Sequence, residues 1–240
     1  MPLIAAAVCP HPPLLVPEIA GAAAPELDAL RAACDEAVDH LLAALRTGSL
    51  IVVGADAATR TYGSEAAGSF GPYGLELTVG AGEPVLPLSL TIGRWLLTRH
   101  SGGADGTLRD VKVQEVRFQG VAEDASTAEC LELGAELAGS ADRVALLVLG
   151  DGSACRGEKS PGYRDDRAEP YDAVVGGAFA AADAAVLAGL DPVSSRELLA
   201  AGRAAWQVLA GATGRTRLRG TLLADEAPYG VGYLVASWTR

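Results

Sequence analysis

Short, continuously apolar runs alternate along this chain with longer stretches in which apolar residues recur every three or four positions. Leu3 to Val8 is the first such run, closed by Pro10. It reads as a strand buried on both faces. From Pro25 to Arg46, Leu27, Leu30, Cys34, Val38, Leu41 and Leu45 fall on one face of a predicted helix. Pro25 suits its first position, Glu26 and Asp28 its first turn, and Gly48 its end. Ser49 to Gly54 predicts a second buried strand. The glycine-rich stretch 56–74 that follows predicts a long irregular loop, of the kind that more often carries function than not. Further on, the pattern predicts a helix over Ser89 to His100, a strand over Val111 to Phe118 and a helix over Thr127 to Ala138. A third buried strand is expected from Arg143 to Leu149. Two Ala-rich helices, Tyr171 to Leu190 and Ser194 to Leu209, precede closing strands at Arg217 to Leu223 and Val231 to Trp238.

Strands alternating with helices predict an α/β fold: one domain over residues 1–240, with a central mixed, largely parallel sheet flanked by helices. Neither an internal repeat nor a linker interrupts it. Ligands in such sheets bind beyond the carboxyl ends of the strands. The segments after Val8, Val53 and Leu149 should therefore gather at one edge.

Composition narrows the partners. Half the residues are hydrophobic, yet there are only 3 Phe, 3 Trp and 1 Met, so the core must be built from Ala, Val and Leu. A net charge of −11 repels phosphate backbones and argues against a nucleic-acid partner. The first apolar run is too short for a signal peptide and lacks a charged segment before it. No stretch has membrane-spanning length, so a cytoplasmic protein without a membrane partner is expected. The 4 cysteines are scattered and read as small buried apolar groups.

The sharpest local feature is Cys9-Pro10-His11-Pro12-Pro13. Prolines on both sides stiffen the backbone around a histidine at a strand end, which suits metal ligation. A plain turn residue is an equally open reading of that segment alone. The stretch from Pro10 to Ile19 resembles the opening of the class III extradiol ring-cleaving dioxygenases and their Memo-type relatives. Glu226-Ala227-Pro228-Tyr229-Gly230-Val231-Gly232-Tyr233 is similar to the closing segment of that superfamily. Between them, Gly150-Asp151-Gly152-Ser153 stands where these proteins carry a Gly-Asp-x-Ser-His turn, and Tyr171-Asp172 follows at the family's distance.

This resemblance implies the α/β fold of the class III extradiol dioxygenases, a homodimer or larger homo-oligomer, and an oxidoreductase acting on a small phenolic or catecholic compound. Its iron(II) would be held by two histidines and a carboxylate. It makes His11 a metal-ligand position and Asp151 and Ser153 the expected catalytic residues; Arg60 and Tyr62, just past Asp56, and Tyr229, in the closing segment, are the expected substrate contacts. The chain also departs from the pattern. Asp56 stands where the second histidine ligand is usual, and Ala154 stands where the proton-transfer histidine follows Ser153. Glu226 falls near the expected carboxylate ligand. A His11–Asp56–Glu226 set would be oxygen-rich and would favour Mn or Mg over iron. Three expectations result: an oxygenase with an altered site, a degenerate relative that binds a small molecule or a protein partner without ring cleavage and with no cofactor needed, and a metal-assisted hydrolase.

Overall fold

A computed structural model describes residues 3–100 and 112–240. Its strands are β1 (Leu3–Cys9), β2 (Thr47–Asp56), β3 (Arg60–Tyr62), β4 (Gly68–Ser69), β5 (Thr78–Val79), β6 (Lys112–Ala122), β7 (Val144–Leu149), β8 (Arg219–Glu226) and β9 (Tyr233–Thr239). Its α-helices are α1 (Pro17–Ala20), α2 (Asp28–Leu45), α3 (Leu88–Arg99), α4 (Thr127–Gly139), α5 (Ala168–Ala181), α6 (Ala184–Ala188), α7 (Pro192–Glu197) and α8 (Arg203–Thr213).

Seven strands form one sheet in the order β3-β6-β2-β7-β1-β9-β8. The inner four, β6, β2, β7 and β1, run parallel, whereas β3, β9 and β8 join antiparallel to their neighbours. This is the α/β sheet that the alternation predicts. Both faces of β1 and β7 are fully buried, which explains their unbroken apolar sequences. One face packs against α2 and α3 through Leu41, Leu45, Leu90 and Leu96. The other packs against α4, α5 and α8 through Leu137, Phe179, Trp206 and Leu209. All four cysteines are free and buried.

Several boundaries differ from the expected ones. Pro25 lies in a 3-10 stretch, Gly21–Leu27, and the α-helix begins only at Asp28. The strand expected from Val111 begins, among the described residues, at Lys112 and runs to Ala122; Val111 lies outside them. The helix expected over 171–190 is broken. Ala182 turns left-handed, and Asp183 accepts hydrogen bonds from the Ala185 and Val186 amides to start α6. The helix expected over 194–209 is likewise two: Asp191 caps α7, Leu199 adopts φ 53°, and α8 starts after Gly202. No helix among the described residues is long and apolar enough to cross a membrane.

Candidate functional site

The carboxyl ends of β1 and β7 are neighbours, so the two loops that leave them meet. Gly150 donates its amide to the Cys9 carbonyl at 3.0 Å. His11 then donates its backbone N–H to Asp151 Oδ1 at 2.7 Å, and its ring Nδ1 lies 3.7 Å from the same oxygen. The histidine is 8% exposed, and Nδ1 has no hydrogen-bond partner. An imidazole beside a carboxylate at a strand edge can hold or pass a proton. Tyr233, the first residue of β9, is buried close by. Burial, aided by Asp151 and Tyr229, holds its hydroxyl well above the usual tyrosine range. Tyr229 donates its hydroxyl to Glu26 Oε2 at 3.1 Å.

Ser153 has a different job. It is fully buried, and its hydroxyl donates to the Leu198 carbonyl at 2.9 Å while accepting from the Cys155 amide at 3.1 Å. Its proton and one of its lone pairs are committed to these straps, inside a region closed to a reactant. The amide of Ser153 donates to Asp172 Oδ1 at 2.8 Å. Asp172, on α5, is 1% exposed and wedged between Gly152 and Gly232, where any Cβ would overlap its carboxylate. Its Oδ2 has no hydrogen bond; Arg156 Nη1 lies 3.5 Å away and also 3.7 Å from Asp225. Burial pushes the Asp172 carboxyl up to about 6, against the opposing pull of the Ser153 amide and Arg156. The sequence points to Asp172 only as part of a family-like pair. Its burial between two distant glycines has no local signal.

Asp56 is at the carboxyl end of β2, and its oxygens are occupied. Arg60 donates to both, at 3.0 Å each, Tyr62 donates its hydroxyl at 2.7 Å, and the Ala57 amide donates at 2.6 Å. The Arg60 hydrogen bonds hold the Asp56 carboxyl below the usual carboxylate range. Burial pushes the Tyr62 hydroxyl up to about 12, with Asp56 adding to it. Arg60 and Tyr62, expected as substrate contacts, are thus tied to a carboxylate expected as a metal ligand. Gly120 on β6 faces this cluster so closely that a Cβ there would overlap Asp56 Oδ2.

The third expected ligand, Glu226, ends β8 opposite Tyr233. Its neighbour Asp225 faces α5 at Gly176, so strand alternation turns Glu226 to the opposite face. Four strand steps separate β2 from β8 in the sheet, about 19 Å at ~4.8 Å per step. Ligands of one ion must converge to within a few ångströms. His11, Asp56 and Glu226 therefore do not form the expected metal set. Among the described residues, no three His, Cys, Asp or Glu side chains stand together in a way that could hold a metal ion. The residues present do not fit the iron, manganese or magnesium that the resemblance and the altered ligand set imply.

Two cavities open on the far side of the same edge, where the sequence predicts no chemistry. One, of about 330 Å³, lies between the end of β6 and α4 and is lined by Thr59, Val121, Asp124, Glu129, Cys130 and Leu133. The other, of about 300 Å³, lies across the Glu123–Asp124 loop against α7 and α8.

No family model matches the chain, and no curated protein matches it. Among solved structures, an uncharacterized protein from Escherichia coli K12 is similar, with a TM-score of 0.45 and 11% identity over 99% of this chain and 100% of that one.

Proposed function

We propose that this protein is a relative of the class III extradiol dioxygenases that binds a small molecule at the strand edge beside His11 and Asp151 without metal-dependent ring cleavage. One observation carries the reading: the Asp56 carboxylate is saturated by Arg60, Tyr62 and Ala57, and lies about four strand steps from Glu226. Freeing the buried Asp56 for a metal would cost about 1–3 kcal/mol for the Tyr62 hydrogen bond alone, and would break both Arg60 contacts as well. The His11–Asp151 pair, by contrast, keeps a buried Nδ1 without a hydrogen-bond partner beside a carboxylate, at the edge where α/β sheets bind ligands. That pair supplies a hydrogen-bonding anchor and a proton acceptor.

Oxygen uptake on a catechol panel tests the proposal, using protein reconstituted anaerobically with iron(II). The expected result is no substrate-dependent uptake above that of His11→Ala. Uptake that depends on both catechol and His11 would overturn the reading and restore the oxygenase.

A further inference from the structure

The cavity against α7 and α8 contains an unusual cation. Arg203 is 3% exposed, yet no carboxylate pairs with it among the described residues. Its Nη1 donates to the Ala125 carbonyl and to Gln207 Oε1, and its Nη2 donates to the Glu123 carbonyl. Carbonyls satisfy some of the five donors of a guanidinium but do not neutralise it. A buried charge without a counter-ion is costly unless something else supplies the opposite charge.

The same cavity is lined by Arg196 near the end of α7 and by Glu123 and Asp124 across from it. None of these three side chains has an ion-pair partner among the described residues. The wall between them is apolar, formed by small residues such as Ala201. Leu199 also lines the cavity and holds φ 53°, a left-handed conformation that a branched side chain rarely adopts. Strain of this kind persists where surrounding structure enforces it, and it concentrates at ligand clamps. Here the enforcement is visible: Ser153 and Ala154 both donate hydrogen bonds to the Leu198 carbonyl.

We propose that this cavity is a binding site for a small zwitterion of the α-amino-acid class. The ligand carboxylate meets Arg203 and Arg196, its ammonium group meets Asp124 and Glu123, and its side chain lies on the apolar wall. A cavity of about 300 Å³ is at the small end of ligand pockets, which suits a molecule of that size. None of the residues lining this cavity is His11 or Asp151, although its α7–α8 wall borders the Asp151 turn, where Gly202 donates its amide to the Asp151 carbonyl at 2.8 Å. The site does not depend on the reading of the His11–Asp151 pair.

The test is calorimetric titration of the full chain with alanine, leucine and glutamate, with propionate and propylamine as single-charge controls. At least one amino acid is expected to bind, and both controls to bind at least about tenfold more weakly, since each drops one charged contact. Arg196→Gln and Ala201→Leu should each abolish or weaken that binding by a similar factor, and His11→Ala should leave it intact. Absence of binding by all three amino acids overturns the proposal. So does propionate binding as well as they do, which would make the cavity a plain anion site. Loss of binding in His11→Ala with retention in Arg196→Gln would overturn the location.

Discussion

Replacing Asp172 with asparagine isolates the energetics of the turn that carries Asp151. In the folded chain, burial raises the Asp172 carboxyl from its ordinary 3.8 to about 6. The folded state therefore holds this proton more tightly than the unfolded chain does. The carboxylic acid is tolerated at low pH. A penalty for burying the carboxylate sets in as pH rises through the interval from about 4 to about 6, and it is complete above it. The full penalty corresponds to roughly 3 kcal/mol, of which about 2 kcal/mol develops between pH 4.5 and pH 8. The asparagine side chain has no charge to bury and can still accept the Ser153 amide hydrogen bond now made to Oδ1. Its amide would face Arg156, which adds a constant offset without a pH dependence of its own. Urea unfolding of both proteins at pH 4.5 and pH 8 measures the change. The stability difference should shift by about 2 kcal/mol in favour of Asp172→Asn across that interval. Parallel pH profiles would refute the assignment of the raised carboxyl to Asp172.

Three further outcomes are expected. Ser153→Ala should lower stability by about 1–3 kcal/mol, because the Leu198 carbonyl and Cys155 amide both lose a buried partner; a neutral effect in chemical denaturation would contradict the strap. Gly120→Ala should destabilise by about 1–3 kcal/mol through overlap with Asp56. Combined with Asp56→Ala, its cost should shrink, and strict additivity in that double-mutant cycle would show that the two residues do not press on each other. Gly232→Ala should likewise destabilise, by overlap with the Asp172 carboxylate, and wild-type-like thermal unfolding would contradict the wedge.

The parts of the fold legible in the sequence are those whose local pattern and tertiary role agree. β1, β2 and β7 are buried on both faces, and each reads as an unbroken apolar run. α4 carries its own capping box, Ser126 with Glu129, and starts where expected. The Ala-rich segment after Tyr171 carries only one such mark, the N-cap Asp183. Its break at Ala182 is imposed by partners far away: Trp238 donates to the Phe179 carbonyl at 2.8 Å, and Gly220 on β8 packs against the same turn. Site residues divide in the same way. His11 is visible in the sequence because prolines flank it. Its partner Asp151 is 140 positions away and meets it only because β7 is inserted beside β1. Asp56 reads as a free carboxylate because no sequence pattern shows that Arg60 and Tyr62 fold back upon it. Arg203 lies in an Ala-rich stretch with no local sign of its role, yet its guanidinium is buried beneath the β6–α4 loop.

Anaerobic titration of the protein with iron(II) and with manganese(II), followed by calorimetry, tests most directly whether His11 belongs to a metal centre. The expected result is no one-to-one binding event that distinguishes the wild-type protein from His11→Ala. Stoichiometric binding of either metal that disappears in His11→Ala and in Asp56→Ala would contradict it.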